Sequence, residues 1–351
     1  MNLSAPEPAA PDLARSGVTT GKAGPDSGRA TVWVVSDVHY ASAAEKARGL
    51  PEWTLTMNPA LRLLIWGLRR YLWLRDPMSH NGLLDQFLAT PGAPDWVVAN
   101  GDYSCDSAYV GVSDDATRSS VVECLHLLRQ RFGDRLLVTW GDHELGKVSL
   151  VGGRGGLRLE SWRRAQTDLG LRPFWRLDLG RYTLLGVVSS LVALPVFEPE
   201  TLPEERPEWW RLREAHLAEI SAAFISLPPG QRVLLFCHDP SALPWLGRLE
   251  PVQQKLDQIE QTFIGHLHSR LFLWKSQRLA GMPAIRWLGN SIRRMSEALH
   301  EARRWRPFHP RLCPSLSGIE LLKDGGFYSV ELDLAGRTPA RFQLHPIRHP
   351  R

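Results

Sequence analysis

The sequence predicts a layered α/β domain, and two features of the chain lead to that prediction. Short apolar runs rich in Val and Leu recur along the 351 residues. Most of them end at Asp, His or Gly. This pattern is typical of buried strands that are followed by a functional loop. Stretches with apolar residues at helical spacing lie between several of these runs. Alternating strands and helices favour a layered α/β domain that binds its ligands at the carboxyl ends of the strands.

The elements can be assigned in chain order. Six apolar runs predict strands, within 30–40, 95–106, 135–145, 182–190, 232–240 and 261–269. The periodic stretch 117–133 predicts a helix that stops at Gly133, and 208–227 has a similar character. Residues 318–334 alternate apolar and polar side chains around Asp-Gly-Gly and predict a β-hairpin.

The composition favours one large domain in a reducing compartment. Hydrophobic residues make up 43% of the chain, which suffices for one large core. The four cysteines are scattered without a Cys-x-x-Cys pair, so neither a disulfide framework nor a zinc ribbon is predicted. No apolar run reaches the roughly 18 residues of a spanning helix. We therefore expect a cytoplasmic protein, whose net charge of +5 is compatible with phosphate, nucleic-acid or anionic-lipid partners.

The domain boundaries follow from composition shifts. Residues 1–30 are rich in Ala, Pro, Gly and Ser and lack the apolar core of a secretion signal, so they predict a disordered tail. We assign 31–334 to the domain and 335–351 to a C-terminal tail. Within the domain, 41–90 predicts an inserted helical segment rich in aromatic residues and arginine.

Metal-ligand side chains gather at the ends of the predicted strands. A single histidine in such a place is more often structural than a ligand. A mixed set of histidines and carboxylates from five separate turns, without thiolates, instead predicts a site for Mn²⁺, Fe²⁺ or Zn²⁺. The residues are Asp37, His39, Asp102, Asp142, His143, His238, His266 and His268.

The same strand ends resemble the ordered motif of the calcineurin-like metallophosphoesterases. The family motif reads D-x-H, G-D, G-N-H-[E/D], H and G-H-x-H. This chain has SDVHY, NGDYS, WGDHEL, FCHDP and IGHLHS in the same order, and the resemblance spans about 31–334. It implies a four-layer α/β/β/α sandwich of two mixed sheets, here with an inserted helical cap, and a dinuclear metal centre.

The resemblance also implies roles for the site residues. The implied ligands are Asp37, His39 and His268 for one divalent ion, Asp142, His238 and His266 for the other, and Asp102 as the bridge. We expect Mn²⁺ first, with Fe²⁺ or Zn²⁺ as alternatives. A hydroxide that bridges the two ions would attack phosphorus in line. His143 would stabilise or protonate the departing oxygen, supported by Glu144. We expect 265–269 to form a short extended turn that sends its two histidines to neighbouring ions.

The chain departs from the family motif in two places. Asp142 stands where the family usually has Asn. Three carboxylates then face two divalent cations and leave one net positive charge instead of two, which should raise metal affinity and lower Lewis acidity. The acidic residue that in many members orients the catalytic histidine corresponds to Cys105, and Asp106 follows it. Asp106 either orients His143 through a bulged loop or is a plain turn residue, and both interpretations stay open.

Two basic segments bear on substrate recognition. The glycine-rich stretch 146–158 contains Lys147, Arg154 and Arg158, and it is either a loop that closes over a phosphate or a flexible surface loop. Arg293 and Arg294 follow the sequence Gly-Asn-Ser and are further candidates for phosphate contact.

The stretch 58–76 bears on the partner. It mixes arginine with Trp, Tyr and aliphatic residues. It is either a helical cap packed on the protein or an amphipathic helix at a membrane surface. A lipid-facing cap would make the protein similar to the family branch that cleaves the pyrophosphate bond of UDP-diacylglucosamine, although that branch usually has Arg where His143 stands.

The function that we predict is metal-dependent hydrolysis of a phosphoester or pyrophosphate bond. The substrate is a phosphorylated small molecule or a lipid-linked one, and peripheral contact with a membrane through 58–76 is a further expectation. One alternative is a nuclease of the same superfamily, which needs a basic groove with stacking aromatics. The sequence shows no clear stripe of that kind, so nucleic acid is the less favoured partner. The other alternative is a non-catalytic metal-binding scaffold.

Overall fold

The computed structural model describes residues 18–20, 28–49 and 52–347. The strands within these ranges are β1 (Val18–Thr20), β2 (Arg29–Val35), β3 (Trp96–Asn100), β4 (Leu136–Thr139), β5 (Trp175–Leu179), β6 (Tyr182–Val187), β7 (Arg232–Cys237), β8 (Ile259–Ile264), β9 (Pro310–Leu312), β10 (Gly326–Asp333) and β11 (Arg341–Pro346). The α-helices are α1 (Ala43–Arg48), α2 (Pro59–Tyr71), α3 (Asn81–Leu88), α4 (Asp115–Phe132), α5 (Asp142–Leu145), α6 (Leu159–Thr167), α7 (Ser189–Val192), α8 (Leu194–Phe197), α9 (Arg206–Ile225), α10 (Leu243–Leu246), α11 (Glu250–Gln253), α12 (Arg270–Arg278) and α13 (Asn290–Glu301).

Two mixed sheets form the centre of the fold. The first has the strand order β1-β5-β6-β7-β8-β9 and the second has the order β11-β10-β2-β3-β4. Strands β6 to β9 are parallel in the first sheet, and β2 to β4 are parallel in the second. In each sheet, the carboxyl ends of the parallel strands therefore lie at one edge. The predicted metal ligands come directly after these strand ends.

The alternation of side chains along β2 shows why the fold has layers. Val32 and Val34 pack in a cluster with residues of the other sheet, such as Leu234. Trp33 and Val35 point the opposite way and belong to the cluster that contains residues of the helices. Both faces of the sheet are buried, as expected for parallel strands. The predicted α/β sandwich of two mixed sheets is confirmed, and each of the six predicted strands and both predicted helices is present.

The predicted hairpin at 318–334 is wrong, because only its second half is a strand. Gly318 and Lys323 have positive φ values of 64° and 50°. The carboxylate of Asp324 accepts hydrogen bonds from the amide of Ile319 at 3.2 Å and from the hydroxyl of Ser269 at 2.6 Å. These bonds close a compact loop where the first strand was expected.

Both predicted tails are corrected where the structure describes them. β10 pairs antiparallel with β11, which lies inside the predicted C-terminal tail 335–351. The hairpin is therefore formed by β10 and β11, later in the chain than predicted. Within the predicted N-terminal tail 1–30, β1 pairs with β5 and β2 begins at Arg29. Residues 1–17, 21–27 and 348–351 lie outside the described residues.

The insertion 41–90 contains α1, α2 and α3. The Asn58 side chain caps α2 by accepting hydrogen bonds from the amides of Ala60 and Leu61, and Pro59 occupies the first helical position. Ile65 is the one buried residue of α2. Most of the apolar surface of this helix therefore lies outside the core.

Glu52 anchors the insertion to the glycine-rich loop. Its carboxylate pairs with the guanidinium of Arg69 in α2 and accepts a hydrogen bond of 2.7 Å from the amide of Leu150. Burial raises the pKa of Glu52, but the opposing charge and hydrogen bonds of Arg69 hold it below its ordinary value. One carboxylate thus joins two segments that are distant in sequence.

Two predictions from composition can also be compared with the structure. All four cysteines are buried and unpaired in the structure. Among the described residues, no helix combines the length and apolar character that a bilayer crossing needs.

We expect Glu52→Gln to loosen the insertion. Removing the charge leaves Arg69 without its partner and should cost about 1–3 kcal/mol at pH 7. Because the folded-state pKa is lowered, this contribution is present above the unfolded-state pKa and disappears as the pH falls through the folded-state value. Hydrogen exchange of 52–71 and 146–151 measures the effect, with the exposed Glu331→Gln as control. Equal exchange in both variants would contradict the anchoring role.

Candidate metal centre

The predicted ligands meet where the carboxyl edges of the two sheets come together. Those from the second sheet are Asp37 and His39 after β2, Asp102 after β3 and Asp142 at the start of α5, which follows β4. Those from the first sheet are His238 after β7 and His266 and His268 after β8. All are buried except His266, which is partly exposed.

The seven side chains form two clusters that share one member. In each cluster, four side chains offer ligand atoms within 4.8 Å of one another. The clusters are Asp37, His39, Asp102 and His268 on one side, and Asp102, Asp142, His238 and His266 on the other. These sets coincide with those that the family resemblance implies, including the shared position of Asp102. The assignment of each residue as a ligand stays a prediction.

Left-handed backbone is common among these residues. Positive φ values occur at Asp37 (50°), His39 (49°), Asp102 (58°), His266 (57°) and His268 (57°). Such conformations are costly for residues other than glycine, and they concentrate at functional sites. The loops after β2, β3 and β8 are therefore shaped to aim side chains and not merely to reverse the chain.

The turn after β8 is not extended as expected. The amide of Leu267 donates to the carbonyl of Gly265 at 2.5 Å, and the amide of Ser269 donates to the carbonyl of Leu267 at 2.6 Å. These bonds close two successive γ-turns centred on the two histidines. The expected alternation holds nonetheless, because His266 lies in one cluster and His268 in the other.

Backbone carbonyls orient three of the histidine rings. The Ser104 carbonyl lies 3.1 Å from Nδ1 of His39 and 2.7 Å from Nδ1 of His143. The Asn100 carbonyl lies 2.6 Å from Nδ1 of His238. A carbonyl only accepts hydrogen bonds, so each Nδ1 carries the proton. This leaves Nε2 of each ring with its lone pair directed into the site.

The chemistry of the clusters fits two divalent cations. Oδ2 of Asp142 and Nδ1 of His268 are buried and have no hydrogen-bond partner. Nε2 of His39 and Nε2 of His268 lie only 3.1 Å apart. Buried polar atoms that lack partners are costly, and bound cations would satisfy such electron-rich atoms. Imidazole and carboxylate donors without thiolate suit borderline or hard divalent metals.

The carboxylates in the site differ in their affinity for protons. Burial raises the pKa of Asp37 to about 7. Burial also raises the pKa of Asp102, but the neighbouring imidazole rings of His143 and His238 outweigh burial and hold that pKa well below its ordinary value. Crowded carboxylates compete for a limited positive charge, which divalent cations would supply.

His143 lies beside both clusters without belonging to either. Its ring centroid is 4.7 Å from that of His39, and its Nε2 is 3.5 Å from Oδ2 of Asp102. The Nζ atom of Lys147 contacts the same Nε2. Burial lowers the pKa of His143 to about 4, with Asp102 acting in the opposite direction and Lys147 in the same one. The imidazole is therefore neutral at pH 7.

A cavity of about 970 Å³ opens over the clusters. His143, His266 and His268 lie at its floor, and the insertion and α12 contribute to its walls. The indole ring of Trp73, which follows α2, lies 4.6 Å from the ring of His268 at an interplanar angle of 30°. The predicted cap thus contacts the metal site directly.

Comparison with known proteins identifies the family. A family model described as calcineurin-like phosphoesterase matches residues 30–270, which is more than half of the chain. This chain belongs to that family. The resemblance seen in the five sequence blocks is confirmed, and the protein is a metallophosphoesterase that hydrolyses phosphoester bonds. No curated protein matches the sequence.

Two solved structures are similar to this chain. A dimetal phosphatase from Danio rerio has 15% sequence identity and a TM-score of 0.42, and the match covers 86% of this chain and 92% of that one. A phosphopantetheinyl hydrolase from Mycobacterium tuberculosis has 16% identity and a TM-score of 0.32, with 68% and 83% covered.

Glu144 of this phosphoesterase supports a different part of the site from the one expected. Its carboxylate accepts hydrogen bonds from the amides of Gly141 at 2.7 Å, Asp102 at 3.1 Å and Tyr103 at 2.9 Å. These bonds hold the loop after β3 against the start of α5. Glu144 therefore positions the shared Asp102 and not the ring of His143.

The structure separates the two interpretations of Asp106. Oδ1 of Asp106 accepts a hydrogen bond of 2.9 Å from the amide of Gly111. Nδ1 of His143 is held by the Ser104 carbonyl instead. Asp106 is thus a turn residue, as the second interpretation had it. Its other oxygen is buried without a hydrogen-bond partner in the cavity wall.

The basic residues that line the cavity differ in part from those predicted. Arg154, Arg158 and Arg293 are not among the described residues that line it. Arg158 donates to the carbonyls of its own loop, and Arg293 donates to the Val196 carbonyl. Lys147 and Arg294 line the cavity, and Arg294 also pairs with Glu200 at 3.1 Å.

Sequence reasoning missed one acidic residue of the site. Asp239 lines the cavity, and its Oδ2 lies 3.9 Å from Nε2 of His266. The available signal was its position directly after His238 at the end of β7. Its spatial proximity to the loop after β8 was not visible from that position.

We expect Gly265→Ala to disturb metal binding without removing a ligand. A Cβ atom at this position would collide with the side chains of Ser36 and Asp37 and would lie 2.8 Å from Nδ1 of His238. Metal analysis after dialysis should find fewer than two ions per folded chain. Gly82→Ala is the matched control, because nothing lies within 4 Å of its Cβ position. Two tightly held ions in Gly265→Ala would show that the close approach is not needed.

Proposed function

We propose that this phosphoesterase hydrolyses a phosphoester or pyrophosphate bond in an amphiphilic, lipid-linked substrate, with Mn²⁺ in both sites. The observation that carries the proposal is the lining of the cavity, which joins the polar residues of the metal clusters to walls that carry both large apolar side chains and charged ones. His143, Lys147 and Asp102 lie at the floor, whereas Trp66 and Phe272 belong to the walls. A phosphate needs only the floor, so the walls suit an apolar group attached to it.

The clusters account for activation of the phosphoryl group. Two divalent ions held there would lower the pKa of a bound water and neutralise phosphoryl oxygens. Asp102 contributes to both clusters and so keeps the two sites adjacent. The carbonyls of Ser104 and Asn100 hold the histidine rings in one tautomer. No rearrangement of these rings is then required when the substrate arrives.

Lys147 and His143 assist the leaving group as a pair. Nδ1 of His143 donates to the Ser104 carbonyl, so its Nε2 accepts a hydrogen bond from the ammonium of Lys147. The proton for the departing oxygen is held at Nζ of Lys147, and His143 orients that group. Arg294 lines the same cavity and adds positive charge toward phosphoryl oxygens.

We expect His143→Ala to reduce kcat by about 10²–10⁴-fold, the range for loss of acid–base assistance, while both metal ions are retained. Lys147→Met should show a reduction in the same direction. Steady-state kinetics with a chromogenic phosphodiester and Mn²⁺ measure both, beside the exposed His126→Ala as control. Unchanged kcat in His143→Ala would remove this residue from the reaction.

We expect an alkyl chain on the substrate to raise kcat/KM. Three methylenes buried in the cavity would contribute about 2.4 kcal/mol, equivalent to about 50-fold. A series of nitrophenyl alkyl phosphodiesters from methyl to dodecyl measures this. Leu279→Ser in the cavity wall should reduce the preference, whereas the exposed Val122→Ser should not.

The same series distinguishes the alternatives. A kcat/KM that does not rise with chain length contradicts the amphiphilic substrate but leaves the hydrolase intact. Faster cleavage of single-stranded DNA than of any alkyl ester would favour a nuclease. No turnover by folded protein with two bound Mn²⁺ ions would favour a metal-binding scaffold.

A further inference from the structure

Two segments outside the metal site expose apolar side chains around the cavity. We call residues 56–75, which include α2, and 270–288, which include α12, the collar. Exposed side chains in the first segment include Leu63 (67%) and Leu64 (68%), and those in the second include Trp274 (52%) and Trp287 (81%). No residue of 270–288 is buried. Solvent-exposed apolar surface of this extent indicates an interaction site.

The two segments are continuous with each other and with the cavity. The rings of Trp73 and Phe272 meet edge to face, with centroids 4.9 Å apart. Trp66 from the first segment and Leu279 from the second both line the cavity over the metal clusters. The collar therefore lies at the entrance of the cavity over the metal clusters.

Within its two segments the collar carries only positive charge, and the exposed Asp76 follows directly after the first segment. Neither segment contains Asp or Glu, although the whole chain has 37 acidic residues. Arg69 pairs with Glu52 and Arg286 with Glu297, both outside the collar. Six further cations have no ion-pair partner among the described residues, namely Arg62, Arg70, Arg75, Arg270, Lys275 and Arg278.

We propose that the collar docks on the surface of an anionic lipid bilayer. Exposed leucines enter the acyl boundary, Trp and Tyr suit the interface, and unpaired arginine and lysine match anionic headgroups. The sequence pointed to 58–76 alone, and the structure adds 270–288 beside it. The surface is assigned from exposure and charge, so it goes beyond the hydrolytic function and does not depend on it.

Two other partners, a second copy of the chain and single-stranded nucleic acid, match the collar less well in charge or in chemistry. A second copy of the chain, bound symmetrically through the collar, would place unpaired cations against unpaired cations. Single-stranded nucleic acid would match the charge and could stack on Trp274 and Trp287. It offers nothing to the aliphatic side chains of Leu63 and Leu64, because stacking needs aromatic partners.

Vesicle flotation tests the proposal. We expect the full chain to float with vesicles of phosphatidylcholine containing about 30% phosphatidylglycerol and not with phosphatidylcholine alone, and high salt should weaken binding. The double variants Leu63→Glu with Leu64→Glu, and Trp274→Glu with Trp287→Glu, should each weaken it by about tenfold or more. Ile225→Glu is the control, since this side chain is 69% exposed at the end of α9, outside both segments of the collar.

Circular dichroism reports folding in each variant, and hydrolysis of a soluble phosphodiester should be unchanged, because the substituted residues do not line the cavity. No flotation of folded wild-type protein, or flotation that both double variants leave unchanged, would overturn the proposal. Light scattering that finds a dimer lost in the double variants, without vesicle binding, would make the collar a self-contact. Stronger binding to single-stranded DNA than to anionic vesicles would make it a nucleic-acid surface. A failure of catalysis would leave the flotation result intact.

Discussion

The burial of three carboxylates among histidine rings is the constraint on which the rest of this structure depends. Asp37, Asp102 and Asp142 are each about 1% exposed and lie in two clusters that share the middle one. Such crowding is unfavourable unless cations compensate it. The loops that carry Asp37 and Asp102 adopt left-handed backbone, and Gly141 and Gly265 leave no room for a Cβ beside the aspartates. The fold holds an arrangement that bound divalent metal stabilises.

The insertion couples this centre to the surroundings of the protein. Trp73 packs on His268, so one residue of the cap touches a member of the first cluster. Glu52 joins α2 to the loop that also carries Lys147. The cap, the glycine-rich loop and the Lys147–His143 pair are thus parts of one connected wall of the cavity, so a change in the cap would alter the surroundings of this pair.

The expectations that needed correction share a physical cause. Glu144 was expected to support His143, but that ring is held by the carbonyl of Ser104. The sequence does not indicate which backbone carbonyl will hold a side chain, because every residue has a backbone carbonyl. The hairpin at 318–334 failed for a related reason, since alternation predicts that a stretch is extended but not which strand pairs with it.

The sequence by itself determined the family, the α/β class and the seven ligand candidates. Those features depend on residue types at short, local spacing, such as the two histidines of the block after β8. Only the tertiary structure decided which basic side chains line the cavity. Lys147 and Arg294 line it, whereas Arg154 does not. It also joined 270–288 to α2 around one cavity. Contacts between distant segments follow from how the sheets and helices pack, and no local pattern encodes that packing.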